Sequence, residues 1–133
     1  MKNLKALLFS GAAYFFMVGC AHLVGWKIPG LYLYFNVPSL AYQDKIIALL
    51  AFGWAGFFYA SFLNPTRNLV KSILFIGVVA IIILTVINLT TDFKSLGTSI
   101  DPRWFYGETA VLFVYWLSLV KTYQKVVTGT TFH

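Results

Sequence analysis

Four long apolar stretches, separated by short polar ones, dominate the chain. They run over residues 6–26, 46–63, 69–89 and 104–120. A helix needs about 20 residues to cross the hydrocarbon core of a bilayer, and each stretch comes close to that length. Because backbone polar groups find no partner in lipid, these segments must be helical, and residues 76–87 lack the alternation of a barrel strand. The pattern predicts an all-α integral membrane four-helix bundle, a single domain over residues 1–133.

Composition and charge agree with a membrane location. The chain is 59% hydrophobic and only 11% charged, whereas soluble domains carry about 25% charged residues. The net charge of +6 could suggest a nucleic-acid partner. The basic residues, however, occur singly at the ends of the apolar stretches, which favours membrane anchoring and argues against nucleic acid.

The distribution of basic residues predicts the orientation. One side of the predicted bundle carries Lys2, Lys5, Arg67, Lys71, Lys121 and Lys125, with no acidic residue. The other side carries Lys27, Lys45, Lys94 and Arg103, together with Asp44, Asp92 and Asp101. The positive-inside rule then places both termini in the cytoplasm, and we expect a multi-pass protein of the bacterial inner membrane.

The connection between the first two stretches is long and unusually apolar. Residues 27–45 read KIPGLYLYFNVPSLAYQDK, with several aromatic residues between prolines. Tyrosine and phenylalanine suit a membrane–water boundary, where one end of a ring is wet. We therefore predict that residues 27–45 form an interfacial segment lying on the membrane.

The single cysteine follows a sequence that resembles a lipoprotein signal, Val18-Gly19-Cys20. Two features argue against cleavage there. The apolar stretch continues to Trp26, longer than a signal core, and Met17 is an unusual residue three places before such a cysteine. We expect Cys20 to be a small apolar residue inside the first helix, and one cysteine excludes a Cys-cluster metal site.

Three polar residues fall inside the predicted spans, near their outer ends: His22, Asn88 and Glu108. At about 1.5 Å per residue, His22 and Glu108 each lie roughly 6 Å below a tryptophan that marks the end of the span. An acid at this depth is costly unless it is paired, so it should face the bundle interior. We predict one polar layer formed by these three residues, with Asp92 above it and Tyr115 on the same helix face as Glu108.

Two interpretations of this layer stay open. A His–Glu pair in low dielectric could share a proton or bind a ligand such as a quinone or lipid. Alternatively, the layer is a polar clamp that only fixes which helices meet. No metal site and no other cofactor is predicted, since His22 and Glu108 are fewer ligands than the three or four that zinc requires.

Small residues at helical spacing predict the packing side of each helix. They let backbones approach closely in a membrane. The candidates are Gly11 and Gly19 on the first helix, Gly53, Gly56 and Ala60 on the second, and Gly77 on the third.

The first span contains Phe16-x-x-Gly19-x-x-His22-Leu23. Together with the four-span topology, this stretch resembles the DoxX-like family of small bacterial membrane proteins. The resemblance implies an inner-membrane four-helix bundle that often partners a redox enzyme or a quinone-linked system. Only Gly19 and His22 carry over from the family pattern.

Three functions are consistent with the sequence. Small size, short loops and the absence of a catalytic set favour a non-enzymatic accessory subunit of a larger membrane complex. Its partners would be the lipid bilayer and other membrane subunits or copies of the chain itself. The alternatives are a small membrane enzyme or binder of a quinone or lipid, using the outer His/Glu/Asn layer, and a proton or small-ion transporter.

Overall fold

The computed structural model describes residues 1–97 and 100–129, and all regular structure in these two ranges is helical. Its helices are α1 (Lys2–Val24), α2 (Ala41–Leu63), α3 (Arg67–Thr90), α4 (Phe93–Leu96) and α5 (Arg103–Gly129). The all-α prediction is therefore confirmed. Each long helix begins before its apolar stretch, because polar residues continue the helix outside the predicted span. At its other end α1 stops at Val24, two residues before the predicted end, where Gly25 has left-handed backbone.

Three helices, α1, α2 and α3, are long and apolar enough to cross a membrane. With 23 residues, α1 and α2 each measure about 35 Å, more than the hydrocarbon core requires. This finding indicates a membrane protein. The predicted fourth span belongs to α5, which is longer but does not meet the same criterion. Glu108 and the Trp, Tyr and Gly residues of its first half, together with Lys121, Gln124 and Lys125 near its end, make α5 less apolar than the other long helices.

The helices contact one another in a definite order. α1 packs along α2 and also contacts α5, while α5 packs on α3 and α2 touches α3. The main hydrophobic cluster lies where α1 and α3 begin and where α2 and α5 end. Its members are Leu4, Leu8, Ala12, Phe58, Val70, Ile73, Leu119, Tyr123 and Val126.

Two glycines of α1 lie where a neighbouring helix comes very close. A Cβ atom at Gly11 would be 2.5 Å from the ring of Phe58 and from the Tyr115 hydroxyl oxygen. A Cβ atom at Gly19 would be 2.7 Å from the ring of Phe52. Both distances are shorter than any real carbon contact, so α1 can pack here only with glycine.

Gly77 has the same role on α3. A Cβ atom there would lie 2.7 Å from the Trp116 ring of α5. The indole Nε1–H of Trp116 donates a 2.8 Å hydrogen bond to the Leu74 carbonyl one turn earlier. Glycine at position 77 therefore lets an indole ring lie flat enough on α3 to reach its backbone.

The packing face of α2 differs from the predicted one. Gly53, Gly56 and Ala60 are exposed, and nothing lies within 4 Å of a Cβ atom at either glycine. The small residues of α2 that are buried are instead Ala48, Ala51, Ala55 and Ser61. Both sets have helical spacing, and both faces of α2 are apolar, so the pattern alone did not distinguish the inner face from the outer one.

The predicted interfacial segment is divided by the structure. Its last five residues belong to α2, which begins at Ala41. The part before it turns sharply, with left-handed backbone at Gly30 (φ 80°) and Tyr34 (φ 54°). The Tyr32 side chain is only 1% exposed and packs into the protein, whereas Ile28, Leu33 and Leu40 are exposed. Contact of this connection with the membrane surface stays a prediction.

Candidate functional site

The three polar residues predicted to form one layer, His22, Asn88 and Glu108, all contact the same stretch of the α1–α2 connection. We call this stretch, residues 30–34, the cap segment. His22 comes from α1, Asn88 from α3 and Glu108 from α5. Each of the three accepts a hydrogen bond from the cap segment. Three helices are thus held together through a short loop.

Two of these hydrogen bonds come from backbone amides of the cap segment. Gly30 N–H donates to the Glu108 carboxylate at 2.9 Å, and Leu33 N–H donates to His22 Nε2 at 3.1 Å. The Gly30 carbonyl in turn accepts from the Tyr14 hydroxyl at 2.9 Å. Gly30 is therefore fixed on both sides, by α5 and by α1. Buried backbone groups need such partners, since leaving them unpaired is costly.

Asn88 uses both ends of its amide, and it is 2% exposed. Its Oδ1 accepts from the Tyr34 hydroxyl at 2.8 Å. Its Nδ2 donates to the Phe105 carbonyl at 3.2 Å and to the Thr109 hydroxyl at 2.9 Å. Asn88 therefore joins the cap segment, α3 and the first turns of α5 in one network.

Aromatic rings cover this network from outside. The Tyr34 ring lies 4.8 Å from that of Phe105, and Phe93 of the short α4 stacks on Phe105 at 5.2 Å. Burial raises the pKa of Tyr34, and also that of Tyr32. Both phenols consequently stay protonated in the ordinary pH range, which keeps the Tyr34 hydroxyl a donor to Asn88.

His22 faces a second carboxylate, that of Asp44. Its Nδ1 lies 3.5 Å from Asp44 Oδ1, an ion-pair distance that exceeds an ordinary hydrogen bond. Asp44 Oδ2 accepts from the Ser39 hydroxyl at 2.9 Å, and the Tyr32 ring stacks on the imidazole at 4.0 Å. The Tyr32 hydroxyl lies 3.0 Å from Ser39 Oγ. Asp44 therefore covers one edge of the imidazole ring, and the Tyr32 ring covers one of its faces.

The hydrogen bonds of His22 determine its tautomer. Because Nε2 accepts an amide proton from Leu33, it carries no proton of its own in the neutral ring. The proton then sits on Nδ1, directed at Asp44. With its only lone pair engaged by the backbone, His22 has no basic site left for a ligand while the cap segment is in place.

The predicted pairing of His22 with Glu108 is not what the structure contains. No hydrogen bond or ion pair within the described ranges joins these two residues; the partner of His22 is Asp44. The reason is the order of the helices, since α1 packs mainly along α2, which carries Asp44 in its first turn. The sequence pattern places Asp44 in the predicted interfacial segment. An antiparallel hairpin would have placed it level with His22.

Asp92 and Tyr115 lie apart from the cap network. Asp92 is exposed and caps the beginning of α4, where its side chain accepts a 3.1 Å hydrogen bond from the Lys94 amide. The Tyr115 hydroxyl donates to the Leu7 carbonyl at 2.6 Å. Tyr115 shares a helix face with Glu108 but is seven residues further along α5, about 10 Å deeper.

No group of three His, Cys, Asp or Glu residues in the described part of the chain is arranged to hold a metal ion. The chain matches no protein-family model, no curated protein and no solved structure. The resemblance to the DoxX-like family therefore stays a prediction from residues 16–23.

Replacing Tyr34 with phenylalanine isolates one bond of the network. Tyr34→Phe keeps the ring on Phe105 but leaves Asn88 Oδ1 buried without its donor. We expect a loss of about 1 kcal/mol in the free energy of unfolding, measured in detergent. Tyr59→Phe is the matched control, because Tyr59 is 48% exposed. Equal stability of the two variants would contradict the hydrogen bond.

Proposed function

We propose that the chain is a protein of the bacterial inner membrane in which α1, α2, α3 and α5 form a four-helix bundle with both termini in the cytoplasm. It serves there as a non-enzymatic accessory subunit of a larger membrane complex. One observation carries this proposal: His22, Asn88 and Glu108 are all engaged by the cap segment. The polar layer thereby acts as a clamp that holds the chain's own loop.

The role of α5 as a fourth membrane helix rests on its contacts and its surface. It packs on α3 and contacts α1. It also presents a strongly apolar outer face, where Val111 is 70% exposed and Val114 is 61% exposed. Such a face is stable against lipid or against another apolar helix, and unstable in water. Lys121 and Lys125 lie near the end of α5, and by the positive-inside rule these basic residues support cytoplasmic termini.

The redox or quinone-linked character of the partner complex rests on a different ground, the resemblance of residues 16–23 to the DoxX-like family. Within that stretch the structure gives each matched residue a structural task. Gly19 admits the Phe52 ring of α2, and His22 accepts from Leu33. Both tasks are compatible with a subunit that must keep a rigid shape for its partner.

The size of the native assembly tests the proposal. The chain, tagged and expressed at its native level, should leave the membrane in mild detergent as part of an assembly with a second protein at fixed stoichiometry. Val114→Arg, on the outer face of α5, should alter that assembly or its insertion, whereas Tyr59→Phe should not. Recovery of the chain only as a monomer or simple homo-oligomer would contradict the accessory role.

A quinone titration distinguishes the accessory role from that of a ligand binder. We expect no saturable binding by the wild type, and His22→Ala and Glu108→Gln should only lower the unfolding midpoint. Saturable binding that both variants lose, with unchanged unfolding midpoints, would favour the binder. A transporter would carry protons or small ions into vesicles that contain the protein. The clamp geometry predicts no such flux.

A further inference from the structure

A groove of about 400 Å³ lies between the beginning of α1 and the end of α5, at the opposite end of the molecule from the cap segment. It is lined by Met1, Lys2, Asn3, Thr122, Lys125 and Val126. Two of these side chains are cationic and two more carry hydrogen-bond donors. Its volume is within the range of pockets that hold small ligands, about 300–1,000 Å³.

The charges around this groove are of one sign. The chain has four acidic residues. Asp44 and Glu108 contact the loop at the far end, and Asp92 and Asp101 flank the connection from α3 to α5 there. None of the ion pairs within residues 1–97 and 100–129 involves Lys2 or Lys125. Both lysines are exposed and available to an anion.

The groove also adjoins apolar surface. Val126 on its wall is buried and belongs to the main hydrophobic cluster, of which Leu4 is also a member. The groove lies at the beginning of α1, a helix long and apolar enough to cross a membrane. A ligand with an anionic head and an apolar tail could therefore place its head between the lysines and its tail along the helices. Basic pockets between membrane helices commonly hold phosphate-bearing lipid headgroups.

We propose that the groove between Lys2 and Lys125 binds the phosphate-bearing headgroup of an anionic phospholipid. Neutralising one negative charge between two lysines is favourable at the membrane surface, where each basic residue contributes about 1 kcal/mol. Asn3 and Thr122 supply donors for the remaining phosphate or glycerol oxygens. This inference rests on the membrane location alone and holds whether or not the chain is an accessory subunit.

Lipid binding by the full chain tests the proposal. Native mass spectrometry would compare phosphatidylglycerol with phosphatidylcholine, which has the same phosphate but no net charge. We expect a preference for phosphatidylglycerol that falls about 30-fold in the Lys2→Gln/Lys125→Gln variant, the combined effect of two lysines. The control is Lys27→Gln/Lys94→Gln, which removes two lysines at the other end and should keep the preference.

Three results would overturn the assignment. The first is that the wild type binds phosphatidylglycerol no better than phosphatidylcholine. The second is that the groove variant and the control variant lose the preference for phosphatidylglycerol equally. The third is that equimolar inorganic phosphate displaces the lipid. The last result would show that a soluble anion, and not a lipid, occupies the groove. Because both lysines are exposed, we expect the unfolding midpoint of the groove variant without lipid to equal that of the wild type, so that weaker binding reports on the groove.

Discussion

Gly11→Leu is expected to destabilise the protein by about 3 kcal/mol, the upper end of the usual cost of overpacking a core. The first added carbon would already lie 2.5 Å from the Phe58 ring and the Tyr115 hydroxyl. Neither neighbour can move away cheaply. Phe58 is 5% exposed in the main hydrophobic cluster, and Tyr115 is bonded to the Leu7 carbonyl. The α1–α2 and α1–α5 contacts would therefore both open.

Gly53→Leu is the matched control for this substitution. It makes the same chemical change in the middle of α2, where nothing lies within 4 Å of an added Cβ atom. Both substitutions improve helix propensity equally. The difference between their free energies of unfolding therefore reports the cost of packing at position 11. Unfolding midpoints in detergent should fall sharply for the variant at 11 and stay near wild type for the variant at 53. Similar midpoints would show that α1 does not approach α2 and α5 as described.

Asp44→Ala is expected to cost about 3 kcal/mol, the upper end of the range for removing a charged acceptor from a buried donor. It would leave the Nδ1–H of His22, a residue that is 1% exposed, without an acceptor, and it would release the Ser39 hydroxyl. Asp44→Asn keeps an acceptor oxygen at the same place and should lose less than half as much. If Asp44→Asn loses less stability than Asp44→Ala, the acceptor oxygen at position 44 stabilises the protein, and the volume of the side chain matters less.

Asp92→Ala serves as the control for Asp44→Ala. Asp92 is exposed and accepts one backbone hydrogen bond at the start of the four-residue α4. Its replacement should stay within about 1 kcal/mol of the wild type, the usual cost of a lost helix cap. The measurement is again the unfolding midpoint, taken for both variants at the same neutral pH. If the two alanine variants were equally stable, His22 would not depend on Asp44.

The sequence predicted the long helices well because the length of an apolar stretch is set directly by membrane thickness. It also placed His22, Asn88 and Glu108 at a common level, since depth along a helix follows from counting residues. Counting also separates Tyr115 from this level. Tyr115 shares the helix face of Glu108 but lies seven residues further along α5, where its hydroxyl donates to the Leu7 carbonyl.

The partners of the polar residues could not be predicted from helices alone. They are supplied by the cap segment, whose path depends on positive φ angles at Gly25, Gly30 and Tyr34. Glycine signals such a turn, but tyrosine in this conformation gives no sequence signal. The inner face of α2 was missed for another reason. In a membrane both faces are apolar, so Ala48 and Ala51 were no more conspicuous than Gly53 and Gly56.

The central claim is that polar side chains of α1, α3 and α5 hold the cap segment. Residue-resolved hydrogen exchange of backbone amides, with the protein in lipid nanodiscs, tests it most directly. The Gly30 and Leu33 amides, bonded to Glu108 and His22, should exchange at least a hundredfold more slowly than the amide of Asn36, an exposed residue a few positions further on. Exchange of Gly30 and Leu33 as fast as that of Asn36 would contradict the claim.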